Sequence, residues 1–177
     1  MAPLTEKQAG RLIFLVGFMG SGKTTVGRLL AHRLGYSFVD LDQLIEHRAG
    51  KKVSEIFSDL REEYFRKLER ETLAKCRALV EAVIALGGGA YAASENRQAC
   101  RTAGKTVWLR CPVDVCLARV VRDGSRPLLG DRAAMETLLL ERARFYAEAE
   151  FVVDSDAASP GEIVDAIVAL MSHGKSG

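Results

Sequence analysis

The chain has 177 residues, 48% of them hydrophobic, and its 25 basic against 23 acidic side chains leave a formal charge of +2. That is enough length for one full core, and the near-neutral balance points away from a nucleic-acid or membrane-surface partner. Four cysteines show neither a CxxC pair nor zinc spacing to the three histidines, which suits buried or idle thiols in a reducing cytosol.

Residues 1–10 are polar, and the apolar run behind them is too short for a signal segment or a membrane span, so the protein is expected to remain in the cytoplasm. Residues 11–172 then form one domain, with both ends, 1–10 and 173–177, expected to fray. Leu12-Ile13-Phe14-Leu15-Val16 reads as a short apolar strand, and it runs into a turn from Gly17 to Thr24 that matches GxxxxGK[ST]. Gly17 and Gly22 permit backbone angles that aim consecutive N–H groups at phosphate oxygens. Lys23 supplies a compact charge to the β and γ phosphates, and the Thr24 hydroxyl is a ligand for the accompanying Mg²⁺. The helix that follows, opening at Thr25, adds the partial positive charge of its N-terminus. A glycine turn without function would not need both the strand and the helix in these places.

The first helix is expected to end at Gly35. Tyr36-Ser37-Phe38-Val39 reads as a second strand that empties into Asp40-Leu41-Asp42, two carboxylates at the edge where parallel sheets collect functional groups. As strand residues two apart they would face the same way. Either could simply cap the helix at 43–49. However, the third strand, Val83-Ile84-Ala85-Leu86, ends in glycine rather than the usual Mg²⁺-holding aspartate of a P-loop enzyme, which leaves Asp40 and Asp42 as the replacements.

Residues 41–77 have a helical pattern interrupted at Gly50, with Ile56, Phe57, Leu60, Tyr64, Phe65, Leu68 and Leu73 as its apolar stripe. Periodicity alone does not separate Arg66 from the other surface charges of this excursion. Gly87-Gly88-Gly89 follows the third strand directly and either lets a ligand lie on bare backbone or forms a loose loop. A helix over 94–102, a strand over 105–109 and a helix opened by Pro112 come next. Residues 122–131, with two glycines, a proline and Arg126, suit a flap that carries positive charge over a phosphate, although an ordinary surface loop has the same composition. A helix over 133–149 holding Arg142 and Arg144, a strand over 151–154 and a closing helix complete the pattern. Alternating strands and helices predict an α/β fold with a parallel sheet and right-handed crossovers.

In this order and spacing, GFMGSGKTT at 17–25, DLD at 40–42, FR at 65–66, GGGA at 87–90, RPLL at 126–129 and ERARFY at 141–146 resemble the shikimate kinase family over nearly the whole chain. The resemblance implies a P-loop fold of the nucleoside-monophosphate-kinase type, with a five-stranded parallel sheet, a substrate-binding helical excursion at about 41–77 and a lid at about 122–132. It implies transfer of the ATP γ-phosphate to the 3-hydroxyl of shikimate with Mg²⁺, in the route to aromatic amino acids, by a cytoplasmic and monomeric enzyme.

In site residues, the resemblance implies nucleotide contacts from Gly20, Ser21, Gly22, Lys23, Thr24, Thr25, Arg119 and Arg126, with Arg119 near the base and the loop around Ser159 bordering it. It places Asp42 on the reacting hydroxyl, Asp40 on Mg²⁺ through water, and Arg66, Arg142 and Gly87 to Gly89 around shikimate. Two positions depart from the family's pattern. Arg61 stands where a glycine is usual, so the turn there is expected to become helical, and Arg144 replaces a proline. A gluconate kinase of the same fold would differ only in its acceptor, whereas a GTPase-like switch needs NKxD and DxxG motifs that this sequence lacks.

Overall fold

The structure is a computed structural model that describes residues 12–123 and 132–173. Strands β1 (Leu12–Val16), β2 (Ser37–Asp40), β3 (Ala82–Ala85), β4 (Lys105–Arg110) and β5 (Phe151–Asp154) form one sheet in the order β2-β3-β1-β4-β5. All four pairings are parallel, with Phe14 opposite Ile84 on one side and Thr106 on the other. The helices are α1 (Lys23–Leu34), α2 (Leu41–Ala49), α3 (Val53–Cys76), α4 (Ser94–Ala103), α5 (Val113–Asp123), α6 (Arg132–Tyr146) and α7 (Pro160–His173).

Every residue of β1 is buried, because successive side chains point to opposite faces and both faces are covered. Leu12, Phe14 and Val16 join a core with Leu41, Ile45, Phe65 and Tyr146. Ile13 and Leu15 join the other, where Val26 and Leu30 of α1 meet Ile163 and Ile167 of α7. The strand order changes direction at β1, so the crevice beyond the carboxyl ends of β1, β3 and β4 is where an α/β sheet receives ligands.

Several sequence expectations shift by a residue or a turn. Asp40 is both the last residue of β2 and the N-cap of α2, which starts at Leu41, so Asp42 lies in a helical turn and the strand parity assumed for the pair does not apply. The helix expected to reach residue 149 ends at Tyr146 and continues only as turns, with Ala149 N–H donating to the Tyr146 carbonyl at 2.9 Å. Arg61 is not helical. It has φ 68° and ψ 159°, and α3 kinks there. Phe57 and Phe65 on either side of the kink have ring centroids 4.6 Å apart, whereas eight residues of straight helix would separate them by about 12 Å along the axis. Because the kink resets the helical phase, the stripe is broken: Ile56, Phe65 and Leu73 are buried, but Phe57, Leu60 and Tyr64 are exposed.

The expected tail at 1–10, Arg126, and most of the expected lid and of the tail at 173–177 lie outside the described residues. At the margins of that lid, α5 continues to Asp123 and α6 begins at Arg132, whose guanidinium pairs with Asp114 at 2.5 Å.

Candidate active site

The phosphate loop turns from β1 into α1 through Gly22, whose φ of 94° is a left-handed conformation that a side chain would oppose. Lys23 Nζ folds over this loop and donates to the carbonyls of Gly17 at 2.9 Å and Phe18 at 2.8 Å. Those bonds park the ammonium at the mouth of the loop. One turn into the site, Thr24 Oγ1 donates to Asp40 Oδ2 at 2.8 Å, while Asp40 Oδ1 accepts from Gln43 N–H at 3.2 Å. Asp40 is therefore a cap and also the carboxylate beside the loop hydroxyl. A hydroxyl and a carboxylate are the hard oxygen donors that Mg²⁺ takes along with phosphate and water. Among the described residues, no group of three or more His, Cys, Asp or Glu could hold a metal ion.

The glycine run after β3 is ordered rather than loose. Ala90 N–H donates to Gly87 O at 3.0 Å, and the buried amide of Asn96 on α4 donates to Ala90 O at 3.0 Å. Its backbone is a wall against which the candidate side chains lie. A Cβ at Gly87 would stand 2.5 Å from Asp42 Oδ1, and one at Gly88 would stand 3.3 Å from Arg142 Nη1 and 3.6 Å from Met19 N in the phosphate loop. One at Gly89 would stand 2.9 Å from Arg66 Nη2 and 3.3 Å from Arg142 Nη2. Asp42, Arg66 and Arg142, from three different helices, thus meet along three consecutive glycines that abut the loop carrying Lys23. Any side chain on the run would push into this cluster.

Two residues that sequence reasoning missed hold the cluster in place. Glu69, almost fully buried, accepts from Arg66 Nη1 at 3.0 Å and 3.2 Å, and Glu62 pairs with the other side of the same guanidinium at 3.1 Å. Burial opposes the charge on Arg66, yet Glu69 and Glu62 outweigh it and raise its pKa above the ordinary arginine value. For Glu69, burial wins: it pushes the carboxyl above the usual range against the pull of Arg66, and nearby Asp42 adds to the rise. Tyr146 is the second. Its buried hydroxyl donates to Gly88 O, and burial pushes it up to about 12. Its ring lies 5.9 Å from that of Trp108. Both had a readable signal, since Glu69 is three residues beyond Arg66 and Tyr146 four beyond Arg142, spacings that share a helix face.

Arg119 on α5 lies beside the loop. It donates to Gly20 O at 3.3 Å and Ser155 O at 2.7 Å, and Ser155 Oγ donates to Ser21 O at 3.0 Å. Ser21 is buried, while Thr25 is exposed at the first turn of α1. Ser159 caps α7, its Oγ accepting from Glu162 N–H at 3.3 Å. Arg144 is exposed and stacks on Phe145 at 4.6 Å, and α6 runs through it without a break.

A family model described as shikimate kinase matches residues 19–172. The shikimate kinase of Moorella thermoacetica is 45% identical over 165 residues, covering 90% of this chain and 95% of that protein. A solved shikimate kinase from Acinetobacter baumannii, in complex with shikimate, is 34% identical, covers 96% of this chain and 97% of its own, and superposes with a TM-score of 0.89. A gluconokinase from Sinorhizobium meliloti shares the fold alone, at 22% identity and a TM-score of 0.59, covering 94% of this chain and 93% of its own. A match spanning both the phosphate loop and the arginine cluster places this chain in the shikimate kinase family.

Proposed function

We propose that the site phosphorylates shikimate from MgATP at the 3-hydroxyl, giving shikimate 3-phosphate and ADP, and that the residues meeting at the glycine run divide the work. The convergence of Arg66 and Arg142 at Gly89, with Asp42 two residues away at Gly87, carries this reading. A small anion with several hydroxyls needs guanidinium forks for its carboxylate and an acceptor for the reacting hydroxyl. Arg66 and Arg142 are the forks, and Glu69 and Glu62 hold Arg66 in place. Asp42 orients the hydroxyl and takes its proton late in the transfer.

The nucleotide's phosphates occupy the loop from Gly20 to Thr25. Lys23 then exchanges its carbonyl partners for phosphate oxygens, so its charge is already in position before nucleotide arrives. Thr24 and Asp40 are the residues that would hold Mg²⁺, Asp40 through water, and when bound the ion neutralises phosphate charge. Arg119 steadies the loop from behind and borders the base, and Arg126 supplies lid charge in this reading. Using ATP from the metabolic pool suits a cytoplasmic enzyme. In this reading the enzyme is a monomer.

An acceptor screen tests the proposal. With MgATP, the purified protein is expected to release ADP with shikimate and not with quinate or gluconate, and Arg66→Ala is expected to raise the KM for shikimate far more than it lowers kcat. ADP release with gluconate alone would replace the acceptor in this scheme, and an unchanged KM in Arg66→Ala would remove the fork.

A further inference from the structure

All four cysteines are reduced and buried, but they do not share one chemistry. Burial pushes Cys76 up and Cys100 up to about 12, so both are poor nucleophiles. Cys111 and Cys116 differ. Cys111 follows β4, and Cys116 lies in the first turn of α5, its Sγ 3.8 Å from Cys111 O. Cys116 Sγ donates to the Cys111 carbonyl, which sets its side chain beside that of Cys111, and Arg119 Nη1 stands 3.7 Å from Cys111 Sγ. The neighbouring Cys116 thiol, then the Arg119 charge, lowers the pKa of Cys111, while the same neighbour and burial raise that of Cys116. This is an attacking and resolving arrangement: one sulfur favoured as thiolate with a protonated sulfur in contact.

The pair adjoins the phosphate loop. The guanidinium facing Cys111 is the one that donates to Gly20 O and Ser155 O, and a Cβ at Gly20 would strike the Cys116 carbonyl. Neither sulfur has a part in phosphoryl transfer as described above. We propose that Cys111 is a modification site, at which hydrogen peroxide oxidises the sulfur and Cys116 resolves it to an intrachain disulfide that weakens nucleotide binding.

In the first step the Cys111 thiolate attacks the peroxide O–O bond. An S–O bond forms, the O–O bond breaks, the sulfur loses two electrons, and the departing oxygen leaves as water after taking a proton. The Cys116 sulfur then attacks Cys111, the S–S bond forms as the S–O bond breaks, and the hydroxyl leaves with the Cys116 proton as a second water. Two thiols and one peroxide thus give one disulfide and two waters. Disulfide formation removes the thiolate charge facing Arg119 and draws the first turn of α5 toward β4, disturbing the surface on which Gly20 rests. Helix first turns yield most readily, since their leading N–H groups have no partner within the helix. The oxidation stands on the closeness of Cys116 and of the Arg119 guanidinium to Cys111, whereas its effect on nucleotide rests on the phosphate-loop reading.

The test treats the full chain with hydrogen peroxide, maps its peptides by mass spectrometry and measures MgADP binding by calorimetry. The expected result is a linked Cys111–Cys116 peptide, at least about tenfold weaker ADP binding, as for disturbance of one charged hydrogen bond, and recovery with dithiothreitol. Cys116→Ala is expected to stop at a Cys111 sulfenic acid trapped by dimedone. Should that variant fail to fold, iodoacetamide on the native chain is expected to label Cys111 before the other three thiols. First modification at Cys76 or Cys100, or a disulfide that leaves ADP affinity unchanged, would overturn the proposal. Failure of the kinase reading is separate: the reduced, untreated protein would then release no ADP with shikimate.

Discussion

In the proposed scheme, Lys23 and Asp42 have charges that matter at different moments, the first when phosphates settle and the second when the acceptor hydroxyl gives up its proton. Lys23→Ala and Asp42→Asn are each expected to lower turnover by ~100-fold or more, with an unchanged circular dichroism spectrum. Equal turnover in either variant would remove that residue from the scheme. Glu69 has a pH signature of its own. Its folded pKa lies above the ordinary glutamate value because burial outweighs Arg66, so the native state binds this proton more tightly than the unfolded chain does. Its contribution to stability is complete below the unfolded pKa and is lost as pH rises through the folded one. The stability of the wild type relative to Glu69→Gln, measured by urea unfolding, is therefore expected to fall as pH rises above that of an ordinary glutamate. The opposite slope would mean that pairing with Arg66 outweighs burial.

At the scale of elements, the kink in α3 is the most informative departure from a regular pattern. A change from glycine to arginine suggests that a turn will become helix, since arginine is a good helix former. The chain instead keeps Arg61 at φ 68°, ψ 159°, a region almost reserved for glycine. Packing of Phe57 on Phe65 spans the kink and the pairing of Arg66 with Glu69 lies just beyond it, and a straight helix would lose the first. Arg61→Gly is expected to raise stability by about 1 kcal/mol, since relief of strain exceeds the entropy glycine adds to the unfolded chain. Urea midpoints of the two proteins check this; a lower midpoint for the variant would show that Arg61 is not strained.

Across the whole molecule, the strands and the phosphate loop were legible because each follows from a local pattern, five apolar residues before a glycine turn and glycines after β3, whereas the pairing of Arg66 with Arg142 came only from the family resemblance. Strand order and the positions of Glu69 and Tyr146 were harder to read. Helical spacing says which residues share a face but not what that face meets, and only tertiary packing turned Tyr146 toward Gly88. The parity expected for Asp40 and Asp42 failed for a related reason, since an N-cap ends the strand between them.

Trp108, the chain's one tryptophan, lies on β4 with its indole against the phenol that anchors Gly88. The protein thereby carries a built-in optical reporter of the pocket proposed for the acceptor, and no label is required. Adding shikimate without nucleotide is expected to change the emission of this indole in a saturable way, giving an affinity to set beside the kinetic KM. A flat titration in a protein that turns over shikimate would mean that occupancy of the pocket is not felt at Gly88.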